Sequence, residues 1–178
     1  MKSHGELTVK IALKISQILD KNEYMVHYDH GTSGENVGKI VSTIEKEYSR
    51  GNELSQLDIA IVKQGSDQVA VLVEIEETTD KPKTFLGDIF GVLFGDYICF
   101  KRKVLDIGDS STLIVVGVNK TYHKDRNEYI LDQVNRVKAR LGTQNAKIRK
   151  VEIMTYTDEG ELLAKLPFLL DEALKGEG

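Results

Sequence analysis

The stretch Val69-Ala70-Val71-Leu72-Val73 constrains this chain most, because it is unbroken apolar sequence and the first charge after it comes only at Glu74. A short run without polar alternation suits a strand covered on both faces, near the middle of a sheet. Leu57 to Val62 reads as a second strand, and Lys63-Gln64-Gly65-Ser66-Asp67 between the two is a turn-rich link of hairpin length. A pair of strands with these properties belongs in the interior of an α/β domain.

The periodicity of the remaining chain fills in that domain. Leu7, Ile11, Ile15 and Ile18 recur at helical spacing and predict an amphipathic helix over Glu6 to Leu19. Tyr24, Val26 and Tyr28 alternate as in a short strand, and His30 to Gly34 reads as a loop. Val37, Ile40, Val41 and Ile44 again fall at helical spacing, so a helix is expected over Val37 to Tyr48. Thr78-Thr79-Asp80 followed by Pro82 signals a helix start, and that helix is expected to run to about Ile98. Leu113 to Val118 reads as an apolar strand, Tyr122 to Leu141 as a charged helix stopped by Gly142, Ile148 to Tyr156 as the last strand, and Leu162 to Leu174 as the closing helix.

Composition bounds the function classes. With 178 residues, 40% of them hydrophobic and 29% charged, the chain fits one domain able to bury its own core. No apolar run approaches the roughly 20 residues of a membrane span, and Met1 to Glu6 lacks the apolar core of a signal peptide. The single cysteine, Cys99, lies in apolar surroundings and reads as a small buried hydrophobe. A lone thiol cannot make an internal disulfide, so a cytoplasmic setting is expected. The net charge of −4 argues against a protein that coats nucleic acid non-specifically.

The chemistry-bearing residues sit on the hairpin. Side chains two apart in a strand share a face, so Glu74 and Glu76 project together while Ile75 points away. If the hairpin pairs in a suitable register, Asp58 lands beside them. Three converging carboxylates repel one another and are costly unless a cation resolves them; hard oxygen donors select Mg²⁺ or Mn²⁺. The bland alternative is a solvated strand end that happens to finish in charges.

At these residues the chain resembles the PD-(D/E)XK nuclease superfamily, which includes many restriction endonucleases and archaeal Holliday-junction resolvases. Its pattern is an acid near the start of one hairpin strand, then acid-x-Lys near the end of the next. By this resemblance Asp58 is the first acid and Glu74 the second, while Glu76 stands where the Lys usually is, as in a Glu-x-Glu minority variant. Leu57 replaces the usual proline. The resemblance implies a restriction-endonuclease-like α-β-β-β-α-β core over about residues 5–120, a mixed central sheet flanked by helices, and an α-β-α extension over about 121–178. The Val37 to Tyr48 helix would then be an insertion. It further implies a Mg²⁺- or Mn²⁺-dependent endonuclease acting on nucleic acid, DNA above all. Asp58, Glu74 and Glu76 would be its metal ligands and catalytic acids, with Glu6 on the first helix as an additional ligand. A plain first-turn glutamate favoured by the helix dipole is the alternative for Glu6. Lys83, or else Lys81, would replace the motif Lys.

Basic groups available for a nucleic-acid backbone include Lys101-Arg102-Lys103 and Arg136, Lys138 and Arg140, although such runs more often are solvated loops. Gly87, Gly91 and Gly95 recur every four residues. Each costs about 1 kcal/mol relative to Ala in a helix, so the stripe implies close approach of another backbone: the sheet beneath, or a second copy in a homodimer. Asp88 beside them reads as a surface residue. The competing functions are a catalytically inactive nuclease-like module that binds nucleic acid or a protein, and a small-ligand α/β domain. The latter is disfavoured because no Gly-rich phosphate loop follows either strand.

Overall fold

Val71, Leu72 and Val73 are all 0% exposed, as a strand enclosed on both faces requires. The computed structural model describes residues 5–77, 82–118, 124–141 and 147–175. Among them the elements are α1 (Glu6–Ile18), β1 (Tyr24–Tyr28), β2 (Ile40–Thr43), β3 (Glu53–Leu57), β4 (Ile59–Lys63), β5 (Gln68–Glu76), α2 (Pro82–Leu93), β6 (Tyr97–Phe100), β7 (Lys103–Val118), α3 (Lys124–Leu141), β8 (Ile148–Tyr156) and α4 (Glu159–Lys175). The domain is therefore α/β, with a mixed sheet and four helices among the described residues.

The sheet runs β1-β4-β5-β7-β6-β2-β3, with β8 beside the second half of β7. β4 and β5 form the expected antiparallel hairpin, with Ile59 opposite Val73 and Val62 opposite Val69. β7 lies parallel to β5, and β8 parallel to β7; parallel neighbours need a long crossover, and α2 and α3 lie in those two connections. The face of β4 and β5 bearing Ile59, Ile61, Val71, Val73 and Ile75 packs under α1 and α4. Ala60, Val62 and Leu72 point the other way, toward Ile89 and Val92 of α2 and Ile130 and Val134 of α3. Two apolar layers thus enclose the sheet, which is why β5 shows no polar alternation.

Several expectations are corrected. Val37 to Tyr48 is not a helix: Ile40–Thr43 is a strand with all four residues buried, and β3 follows it. The helix from Pro82 stops at Leu93, and Tyr97–Phe100 is a strand paired with both β2 and β7. β7 begins at Lys103, well before Leu113. Cys99 is 5% exposed in the core, as read from the sequence. Thr78 to Asp80 and Tyr122 lie outside the described residues. No described helix is long and apolar enough to cross a membrane.

β3 and β4 are separated by Asp58 alone, yet they sit at distant places in the strand order. Consecutive residues cannot be far apart, so the sheet coils until its two halves meet at Asp58. The same closure stacks His27 of β1 on Phe100 of β6, ring centroids 4.2 Å apart, and bridges Tyr28 to Val37. Close packing secures the second half. A methyl group at Gly91 would lie 2.7 Å from Ser55 Cβ and 2.9 Å from the Leu54 carbonyl, and one at Gly95 would meet Ser42 Oγ at 2.0 Å. Gly87 has nothing within 4 Å. The sheet beneath, then, accounts for two glycines of the stripe.

Candidate active site

Asp58 occupies the bend where the sheet closes. The antiparallel pairing of β4 with β5 ends at Ile59 and Val73, which leaves the next β5 amide on that side, that of Ile75, without a backbone partner from β4. The Asp58 carboxylate takes it: Ile75 N–H donates to Asp58 Oδ2 at 2.8 Å, and Thr8 Oγ1, from α1, donates to Oδ1 at 2.9 Å. Thr8 is only 3% exposed. Burial pushes the Asp58 carboxyl above its ordinary range, against the lowering effect of those two donors and of His30.

Glu74 and Glu76 continue the face of β5 that Leu72 presents to α2. Glu74 accepts a backbone hydrogen bond from Asp58, while its Oε2 is shut off from solvent with no hydrogen-bond partner. Its carboxyl is held well above the usual carboxylate range by burial first, then by the charges of Asp58, Asp88 and Glu76. A cavity of about 300 Å³ opens over these acids, bounded also by Gly5, Asp29, His30 and Glu77. The structure thus brings Asp58, Glu74 and Glu76 together at one end of the sheet.

Asp88 is a correction. Read as a surface residue, it is half-buried on α2, and burial, followed by Glu76 and Asp58, pushes its carboxyl up to about 6. The signal that could have found it is its position three residues before Gly91: the two share a helix face, and Gly91 lies against β3. The sequence likewise places His30 only in a loop. It lines the cavity with a left-handed backbone, φ 62.

The other expected residues lie elsewhere. Glu6 pairs with Lys10 at 3.5 Å, its side chain 43% exposed, and the α1 residue that reaches Asp58 is Thr8. Lys81 and the side chain of Lys83 fall outside the described residues, although Lys83 belongs to α2. Lys101, Arg102 and Lys103 are exposed at the β6–β7 turn, at the opposite end of β7 from Val115 and Gly117, the partners of Glu74 and Glu76. Lys101 Nζ is bound to the carbonyls of Gly34 and Glu35 at 2.7 and 2.8 Å.

The donor set is all hard oxygen, which suits Mg²⁺ or Mn²⁺ and not a thiophilic metal. Among the described residues, no three His, Cys, Asp or Glu side chains are gathered tightly enough to hold an ion as they stand. The orphaned Glu74 Oε2 and the elevated carboxyls nevertheless fit a cation, since each is the mark of negative charge lacking compensation. No family model, curated protein or solved structure matches the chain.

Proposed function

We propose that this protein is a divalent-metal-dependent nuclease of the PD-(D/E)XK type, hydrolysing phosphodiester bonds in DNA. The observation that carries the reading is the buried, unpartnered Glu74 Oε2 within reach of the charges of Asp58, Glu76 and Asp88. Neighbouring carboxylates in a desolvated cleft weaken a fold, and a bound cation relieves them. The run α1-β1-β4-β5-α2-β7 supports it as well: three antiparallel-linked strands, then a helix, then a strand parallel to the third. That is the α-β-β-β-α-β order of the resembled core, with β2, β3 and β6 added.

Asp58, Glu74 and Glu76 would hold Mg²⁺ or Mn²⁺. Such an ion lowers the pKa of bound water and offsets charge on a phosphate. The chain's own contribution is positioning: Thr8 and the Ile75 amide fix the Asp58 carboxylate, and burial keeps bulk water from Glu74. Each oxygen of Asp58 accepts one hydrogen bond and retains a second lone pair for a ligand.

Those same two hydrogen bonds favour the second reading, an inactive module in which Asp58 only closes the sheet. Purified protein incubated with duplex, branched and single-stranded DNA in Mn²⁺ separates the two. Metal-dependent cleavage by wild type and none by Asp58→Ala supports the nuclease, whereas binding without cleavage under every condition rejects it. Mn²⁺ should also raise the melting temperature of wild type and not of Glu74→Ala, because a ligand specific to the native state stabilises it.

A further inference from the structure

A second cavity, of about 490 Å³, lies at the other end of the sheet from the acids. Tyr24 and Met25 line it and pair with Lys63 and Val62, whereas Asp58 precedes Ile59 at the far end of β4. Its volume is that of small-molecule sites. In a chain of net charge −4, its described lining sets Lys21 and Lys103 against one acid, Glu35. Neither ammonium makes an ion pair or a hydrogen bond among the described residues. We propose that this cavity binds the phosphate group of a small phosphomonoester, a second site that goes beyond the nuclease reading and does not rest on it.

The donors are built into the fold. β1 ends the strand order, so one of its edges has no strand beside it. Across that edge Tyr28 N–H donates to the Asn36 carbonyl at 2.9 Å, and Gly38 N–H donates to the Tyr28 carbonyl at 3.0 Å. Backbone groups two residues apart point the same way in an antiparallel strand. Val26 therefore turns its N–H to the same open edge, and Val26 lines the cavity. Asn36 lines it too and approaches His27 without completing a hydrogen bond: its Oδ1 and both nitrogens of that ring are shut off from solvent and unpartnered. Burial first, then the charges of Lys103 and Lys101, pulls the His27 imidazole down to about 4, which sets the Lys103 ammonium close to β1. The Val26 amide, Lys21 from the α1–β1 turn, Gln64 from the β4–β5 link and Lys103 from the start of β7 thus converge from separate elements. A tetrahedral phosphate accepts hydrogen bonds from such a spread of directions, whereas a planar carboxylate accepts near its own plane. Leu19 and Met25 supply an apolar wall for the organic part, and Asn36 Oδ1 can accept from a hydroxyl on it.

The test keeps metal out, so that no ion at the acids can recruit phosphate. Inorganic phosphate, AMP and adenosine are titrated by calorimetry in EDTA, at an ionic strength matched with NaCl, against wild type, Lys21→Ala, Lys103→Ala and Arg102→Ala, with melting temperature followed in parallel. Arg102 is the control: it is exposed beside Lys103, carries the same charge and does not line the cavity. Phosphate and AMP should bind wild type and raise its melting temperature, AMP the more tightly, and adenosine should not. Lys21→Ala and Lys103→Ala should each weaken both ligands tenfold or more, while Arg102→Ala binds as wild type does. Wild type that binds neither phosphate nor AMP would overturn the proposal. So would adenosine binding as tightly as AMP, or an equal loss in Arg102→Ala and Lys103→Ala, which would reduce the effect to diffuse charge. A DNA oligonucleotide without a terminal phosphate that binds more tightly than AMP, and loses that binding in Lys103→Ala, would replace the small ligand by a nucleic-acid backbone. None of these outcomes bears on the acids, whose own test is cleavage in Mn²⁺.

Discussion

The Ile75 amide donates to Asp58 Oδ2 at 2.8 Å, and the Asp58 backbone in turn bonds to the carboxylate of Glu74, the residue before Ile75. The two strands therefore cross-brace their acids: each carboxylate is oriented by the main chain that carries the other. Neither acid can move without disturbing its partner.

Thr8 is the third brace, and its removal should be felt. Thr8→Val keeps shape and volume but deletes the donor to Asp58 Oδ1, leaving a buried acceptor less satisfied. Such a loss costs about 1–3 kcal/mol, and thermal denaturation should register it as a drop of several degrees.

Glu74→Gln should stabilise the metal-free protein. The raised carboxyl of Glu74 means that folding disfavours its charged form, a cost that grows as pH rises above the ordinary value of 4.5. At pH 8 the substitution should therefore raise stability, and at pH 4 the difference should vanish. Denaturant titrations at the two pH values measure it.

Asp88 gives the metal-free protein an inverted pH dependence. Its carboxyl titrates at about 6 in the folded chain against 3.8 ordinarily, so the folded state binds the proton more tightly. Stability from this source is fully present below pH 3.8 and is lost as pH rises through about 6. Between pH 5 and 7 the melting temperature should fall, and Asp88→Asn should flatten that slope. An unchanged slope would remove Asp88 from the acidic cluster.

Gly91 and Gly87 should respond oppositely to alanine. At Gly91 the new methyl meets Ser55 Cβ and the Leu54 carbonyl below 3 Å, and overpacking of that kind costs about 1–3 kcal/mol. At Gly87 the methyl meets nothing within 4 Å, so the better helix propensity of alanine should add up to about 1 kcal/mol. Paired melting curves decide.

How far the sequence was legible follows from where each pattern was unambiguous. β5, β8, α1 and α3 carry long or strongly periodic signals. β2 failed because Ile40 and Val41 are enclosed on both sides: a strand buried all round loses its alternation, and short apolar spacing then imitates a helix. The β-branched content of Ile40, Val41 and Thr43 was the counter-signal. β6 was absorbed into the helix before it, although Gly95 and Asp96 marked the stop. Asp58, Glu74 and Glu76 could be grouped because one hairpin holds them. His30 lines the cleft and Asp88 comes within reach of the charges of its acids from elements whose docking is tertiary, and spacing within one element does not reveal that.

The hairpin that carries the acids has its turn at the other end. Asp58 precedes β4 and Glu74 lies near the end of β5, so the link at Gln64 to Asp67 sits about six strand residues away, roughly 20 Å. Those link residues are exposed, Gly65 adopts φ 74, and nothing lies within 4 Å of a Cβ placed there. An affinity tag, a fluorophore or a fused domain spliced between Gly65 and Ser66 would hang from the molecule at a distance from its carboxylates. The protein thus offers a built-in handle for immobilisation, by which the cleft can be presented to solution unobstructed.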